Sequence, residues 1–180
     1  MHRIVSSITT LAQHIHVVEH SPEDFRPEHC PHCGLSVLWS HGVYHRKADR
    51  SGDRDAAGQS LNPVPICRYS CAGCRRTCSR LPLCIAPRRW YDWSVQQEVL
   101  QKLLNGWSLC HCGRFHGIHR NTGRRWLDWL RSRSEIFMFH LRSRLPEWGR
   151  IDAPNFWRAM PEGMSLAHAM AWLDREIDVP

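Results

Sequence analysis

Two short cysteine motifs, Cys30-Pro31-His32-Cys33 and Cys71-Ala72-Gly73-Cys74, are the residues of this chain best suited to chemistry. Each sets two thiols two residues apart, the spacing at which a tight turn offers both sulfurs to one ion. Four thiolates satisfy tetrahedral Zn²⁺ completely and leave no open position, so such a site holds structure and runs no reaction. The pairs are separated by 37 residues, more than the usual ~15–20, so the spacing predicts an inserted loop. Residues 47–64, polar and rich in Gly, Ser, Asp and Pro, have the composition of that loop. Paired cysteines also serve redox chemistry or simple burial, but two pairs at this spacing favour one shared zinc.

Other ligands compete with these four. His32 lies inside the first motif, and His41 and His45 follow it, but a complete cysteine set needs no imidazole. Cys67, Cys78 and Cys84 offer a second site in principle, though small buried cysteines are the commoner case. Cys110 and Cys112, two apart on an expected helix, point to nearly opposite sides. Cys112 suits a core position and Cys110 an exposed one. With no secretory pattern in residues 1–10 and nine cysteines in all, reduced thiols in a cytoplasm are expected, not a disulfide framework.

The chain has 180 residues, a formal charge of +7 and a pI near 9.2, enough for one domain or two small ones with a polyanionic partner. The charge is uneven. Residues 111–150 carry nine arginines against Asp128, Glu135 and Glu147, whereas after residue 150 five acidic residues face Arg158 and Arg175. A basic middle and an acidic tail assign the polyanion contact to the middle alone. No run of 18 apolar residues exists, so no membrane partner is expected.

The elements that must position these residues follow from the pattern. Residues 35–39 alternate like a strand, Ser40-His41-Gly42 reads as a turn, and 43–46 as the returning strand. Residues 64–69 lead into the second cysteine pair and 75–79 lead out. Short β-hairpins clamped on one ion make a zinc ribbon, here over residues 25–84 after an N-terminal segment 1–24. A fragment with so little apolar core takes much of its folding energy from the metal, about 10–16 kcal/mol in zinc-finger peptides.

Downstream the period changes to that of helices. Ser94 and Gln97 fit a capping box, and Val95, Val99, Leu100, Leu103 and Leu104 share a face. Asn105-Gly106 ends this helix and Ser108 starts the next, over 109–115. Gly117 supplies a tight turn, and residues 119–130 form a third helix with Ile118 and Trp126 as anchors. Gly113 suits a close helix crossing. The arrangement is a helix-turn-helix within residues 85–146. Arg114, His119, Arg120, Asn121, Arg124 and Arg125 lie where DNA would be contacted; Arg suits guanine and Asn suits adenine. Trp90, Tyr91, Trp93 and Trp107 could stack on bases, but packing is the commoner role. Residues 136–145 suggest a further helix ending near Pro146. The tail 147–180 contains a last helix, capped by Ser165, with Leu166, Ala169, Met170, Leu173 and Ile177 on one stripe.

Residues 26–34, 41–46 and 66–82, with Cys30, Cys33, Cys67, Cys71, Cys74, Arg75, Arg76 and Thr77, resemble the zinc-ribbon segment of bacterial insertion-sequence transposases. Residues 106–126, with Trp107, Ser108, Thr122, Gly123, Arg124, Arg125 and Trp126, resemble their helix-turn-helix. That family usually has an aromatic residue where Cys78 stands, an apolar one at His116 and a β-branched one at Gly123. The resemblance covers roughly residues 25–130 and implies double-stranded DNA as partner, a bacterial cytoplasmic setting, and contact with a transposase or other mobile-element protein. Only fifty residues follow Leu130, too few for a metal-dependent catalytic domain, so no enzyme is expected. The sequence reading is thus an α+β, Zn²⁺-stabilised, transposon-associated DNA-binding protein. Its alternatives are a protein–protein interaction module and a single-strand nucleic-acid binder.

Overall fold

A computed structural model describes residues 3–47, 58, 60–87, 91–177 and 179. It is α+β and divides into two compact units: residues 1–92 with 177–180, and residues 93–176. The interior of the expected insertion lies outside the described residues, as does Trp90.

The first unit is organised around one strand buried on both faces. Its elements are β1 (Ile4–Val5), α1 (Leu11–His20), β2 (Leu38–Arg46), β3 (Val64–Cys71), β4 (Thr77–Cys78) and β5 (Leu81–Pro82). Strands β2, β3 and β4 form an antiparallel sheet in that order, while β1 pairs parallel with β5. Because strand side chains alternate, the even-numbered Val64 and Ile66 of β3 join one apolar cluster, with Leu11, Leu81 and Ile85. The odd-numbered Cys67, Tyr69 and Cys71 join the other, with Val5, Ile8, Phe25, Cys30 and Leu38. Helix α1 contributes to both clusters through Leu11 and through Val17 and Val18. Thr10 caps it by accepting the Gln13 N–H at 3.2 Å. Two buried polar anchors tie these layers together: His14 Nε2 meets the Pro65 carbonyl oxygen at 2.7 Å, and the Tyr69 hydroxyl donates to the Pro22 carbonyl at 2.6 Å.

The hairpin expected at 35–46 is not formed. Residues 38–46 are one continuous strand paired to β3, and the register shifts between Ser40 and Val43, opposite Tyr69 and Cys67. His41 and Gly42 thus stand against the single residue Arg68, a β-bulge. Gly42, at φ 77°, supplies the bend that reads as a turn in the sequence.

The second unit is helical: α2 (Trp93–Leu104), α3 (Leu109–His116), α4 (Arg120–Arg144), α5 (Ala153–Gly163) and α6 (Leu166–Glu176). Helix α2 begins at Trp93, one residue before the expected Ser94 cap, and buries Trp93, Gln96, Val99, Leu100 and Leu103. It ends at Leu104, and the left-handed Gly106, φ 90°, turns the chain so that the Trp107 N–H reaches back to the Lys102 carbonyl at 3.0 Å. Helix α4 is longer than expected, joining the segments 119–130 and 136–145 into 25 residues. Helix α5 was not foreseen. It packs Phe156, Trp157 and Met160 into the core, and Trp157 Nε1 donates to Ser134 Oγ of α4 at 2.6 Å. Helix α6 buries Leu166, Ala169, Met170 and Leu173, four of the five residues of the stripe read from the sequence; the fifth, Ile177, follows the end of the helix and is half-buried. Side chains also close helix ends: the Arg158 guanidinium donates to the last carbonyl of α2, at Leu104, while Gln97 Oε1 accepts the Leu166 N–H.

Candidate metal centre and basic helix

The two cysteine motifs fold into near copies of one turn. Cys30 donates its N–H to the Leu35 carbonyl at 2.8 Å and accepts the Gly34 N–H at 2.9 Å. Cys71 does the same with Arg76 at 3.0 Å and Arg75 at 2.9 Å. The fourth residue after each leading cysteine is left-handed, Gly34 at φ 76° and Arg75 at φ 57°. Ala72 N–H then donates to the Val37 carbonyl at 2.9 Å, which joins the second knuckle to the chain leaving the first.

These turns bring the four sulfurs of Cys30, Cys33, Cys71 and Cys74 within 4.8 Å of one another. The Cys30–Cys74 and Cys33–Cys71 sulfur pairs are each 3.6 Å apart. A tetrahedron with Zn–S bonds of about 2.3 Å has edges of about 3.8 Å, so the sulfurs stand close to where a zinc ion needs them. The four thiols therefore fit a structural Zn²⁺ site, as the spacing predicts. Backbone donors prepare the thiolates: the His32 N–H points at Cys30 Sγ at 3.5 Å. Burial opposes ionisation of Cys30, but the N–H groups of His32 and Cys33, with the thiols of Cys74 and Cys71, outweigh it and bring the thiol to about 7. At Cys33 the Leu35 N–H favours the thiolate, while burial and the neighbouring thiols prevail and push it up to about 11. A divalent cation at the centre deprotonates coordinating thiols outright.

The remaining candidate ligands do not join them. Among the described residues this is the one grouping of three or more Cys, His, Asp or Glu side chains able to share an ion. His32, His41 and His45 are exposed. Cys67 is a core residue of β3, and Cys78 and Cys84 are half-buried beside the two clusters. Cys78 is held well up, to about 11, by burial first and then by the charges of Cys30, Cys71 and Cys74.

In the second unit α3 and α4 meet through a turn centred on Gly117, φ 61°. Ser108 caps α3 by accepting the His111 N–H at 3.2 Å, and the Gly117 and Ile118 N–H groups both return to the Gly113 carbonyl. The closeness of this crossing depends on Gly113, since a Cβ there would stand 2.9 Å from the Ile118 carbonyl oxygen. Cys112, Ile118 and Trp126 are buried beneath the turn, and Cys110 is exposed. His116 buries its ring where the resembled family is apolar, with Nδ1 3.6 Å from the Glu98 carboxylate.

Arg120, Asn121, Arg124 and Arg125 are all exposed. At 100° per residue they share an arc of about 140° on the first two turns of α4, with the buried Gly123, Trp126 and Leu130 on the other side. Arg114 is exposed on α3. His119 is exposed too, but it is the N-cap of α4, its Nδ1 accepting the Asn121 N–H at 3.3 Å. Of the aromatic residues, Trp93 is core, Tyr91 is half-buried, and Trp107 shares Lys102 Nζ with Phe115 at 4.5 and 4.6 Å. The capping by His119 and the Lys102 clamp could not be found from spacing, because both depend on how the turns close.

Among the described residues no helix is long and apolar enough to cross a membrane. No curated protein and no solved structure matches the chain. A family model does match, over residues 30–126, from the first zinc-site cysteine to the buried Trp126 of α4. That span is more than half of the 180 residues, and the chain belongs to the family described as a domain of unknown function, DUF6431.

Proposed function

We propose that this protein is a zinc-stabilised binder of double-stranded DNA, acting by recognition and not by catalysis. One observation carries the reading: four side chains of the types that read guanine, adenine and phosphate share the exposed face at the start of α4, directly after a tight turn from α3. That is the geometry in which a recognition helix enters a major groove while the preceding helix crosses the backbone. Arg120, Asn121, Arg124 and Arg125 are the base and phosphate contacts, Arg114 is a phosphate contact from α3, and His119 positions the helix through its cap. The four-thiol centre supports a structural role for the zinc, in a ribbon that accompanies the helix-turn-helix. The resemblance to insertion-sequence transposases adds a setting: a bacterial cytoplasmic accessory factor, regulator or recognition module of a mobile element, with a transposase as protein partner.

The test is a duplex-binding titration at two salt concentrations on protein of known zinc content. Binding should weaken steeply as salt rises, with a log–log slope of about −0.9 for each phosphate neutralised. The double variant Arg124→Ala/Arg125→Ala should bind more weakly with a shallower slope; unchanged affinity removes the assigned face.

A second reading, a protein interaction module, draws on one feature. Leu35, Val37, Trp39 and Val43 expose apolar side chains in and just before β2, Trp39 at 66 %. Zinc-loaded protein that ignores duplex even at low salt would favour it.

A further inference from the structure

Helix α1 turns two histidines to one exposed face. His16 and His20 stand one helical turn apart, both exposed, with ring centres 4.2 Å apart and planes inclined at 33°. Two histidines at this spacing on a helix face are a recurrent way of holding a divalent metal ion. With metal–nitrogen bonds of about 2.0–2.1 Å, two imidazoles on one ion bring their ring centres to about 4.5 Å at a right angle and about 5.2 Å at the tetrahedral angle. The pair already stands close to the first of these separations. His20 is also set in the tautomer that ligation requires. Its Nδ1 lies 2.9 Å from the His16 carbonyl oxygen, which only accepts, so in the neutral ring Nδ1 carries the proton and Nε2 keeps its lone pair. A backbone carbonyl on the far nitrogen is the usual outer partner of a metal-bound imidazole. The local charge favours a cation. His20 closes α1, where the last carbonyls place partial negative charge. Residues 4–25 hold Glu19, Glu23 and Asp24 and no lysine or arginine, in a chain whose formal charge is +7. Arg26 engages Glu23 at 2.7 Å, while Glu19 is exposed beside His20.

We propose that His16 and His20 bind one divalent transition-metal ion, through His20 Nε2 and a ring nitrogen of His16, with water in the remaining positions. The near right-angle separation of the rings suits an octahedral or tetragonal ion of the nickel or copper class better than tetrahedral zinc. Two side chains hold this ion against the four that enclose the zinc, so it exchanges with solution while the zinc does not. The inference is independent of duplex recognition by α4.

The experiment is a titration of the zinc-loaded full chain with Ni²⁺, followed in ¹⁵N backbone spectra, with zinc content measured before and after. Paramagnetic Ni²⁺ should broaden the signals around His16 and His20 first and saturate at one ion per chain, while zinc stays at its starting level. His16→Gln and His20→Gln should each weaken binding by about tenfold or more, since loss of an outer-sphere partner alone costs about 10–100-fold. Both side chains are exposed, so glutamine at either place leaves the core intact. His41→Gln/His45→Gln removes another exposed pair four residues apart, but on a strand, and should bind as the wild type does. Broadening spread over the other histidines with no preference for α1 overturns the proposal. So does either single variant that keeps wild-type affinity, nickel uptake matched by zinc release, or saturation only at millimolar Ni²⁺, which would make the pair an adventitious site only.

Discussion

Gly34 and Arg75 occupy the same place in the two knuckles: each, from left-handed backbone, donates its N–H to the leading cysteine's carbonyl at 2.9 Å. The turn demands that conformation, and only one of the two residues adopts it freely. An L side chain in left-handed backbone costs roughly 1–2 kcal/mol, whereas glycine enters it without steric cost. Gly34→Ala should therefore destabilise the zinc-loaded protein by about 1 kcal/mol, although a Cβ there meets nothing within 4 Å. Arg75→Gly should stabilise it by about 0.5–1 kcal/mol after the loss of chain entropy that glycine brings. Urea unfolding of the two variants tests this, and effects of the same sign would contradict it.

Ligation and packing make different demands on the cysteines. Cys33 is exposed and Cys71 is 1 % exposed, so a packing role alone predicts a far larger loss at Cys71. A shared zinc predicts that Cys33→Ser and Cys71→Ser both abolish stoichiometric zinc and melt the first unit, because the metal's binding energy is folding energy. Cys67→Ser, which buries a hydroxyl in the same core, should cost about 1–3 kcal/mol and keep its zinc. Metal analysis beside a thermal melt separates the two roles. Zinc retained by Cys33→Ser would remove that residue from the site.

His14 gives the fold a pH dependence of its own. The ring is fully buried, edge-on to Phe25 at 5.1 Å, and bonded through Nε2 to the Pro65 carbonyl. Burial pushes its pKa below the ordinary 6.5, and the backbone hydrogen bond recovers part of the shift. The unfolded chain thus takes up the proton first as pH falls. The stabilising contribution is complete above 6.5 and is lost as pH drops from there through the lowered value. Stability of the wild type should fall more steeply between pH 7.5 and 5.5 than that of His14→Gln. Protonation of the zinc thiolates affects both proteins alike, so the difference between the curves isolates His14, and parallel curves would exclude its role.

What could be read from sequence was what local chemistry dictates. The four cysteines, the Gly106 and Gly117 turns and the Ser108 and Ser165 caps each follow from a residue type at a fixed offset. The misreadings came where distant chain decides. Gly42 signals a turn, but pairing with β3 keeps both of its sides in one strand and makes it a bulge. Residues 131–135 hold no apolar side chain, which hides the continuity of α4. Leu130, Phe137 and Leu141 nevertheless continue one buried stripe across them, and Arg, Ser and Glu do not break a helix. Helix α5 was concealed by Pro154 and Pro161, yet the first sits in its opening turn, where the missing N–H has no partner to lose. Residues 1–24 held no motif, and their part in the core appears only once β1 pairs with β5.

The two buried glycines of the helix-turn-helix should respond to alanine in opposite directions. At Gly113 a Cβ would stand 2.9 Å from the backbone oxygen of Ile118, which is also fixed by its own N–H bond to the Gly113 carbonyl. That oxygen cannot move without opening the turn, so Gly113→Ala should destabilise the second unit and weaken duplex binding with it. At Gly123 the added carbon meets Ile118 Cδ1, Leu109 Cδ2 and Val99 Cγ1, each at 3.6 Å, ordinary contact with three methyl groups. Gly inside a helix costs about 1 kcal/mol against Ala, and here nothing opposes recovering it. Gly123→Ala should raise the stability of the second unit by about 0.5–1 kcal/mol. Because Gly123 faces away from Arg120, Asn121, Arg124 and Arg125, duplex affinity should hold or improve. Helical circular dichroism during thermal unfolding, followed by the salt titration, checks both parts. A destabilised Gly123→Ala would mean that the α2–α3–α4 core closes more tightly than these 3.6 Å contacts allow.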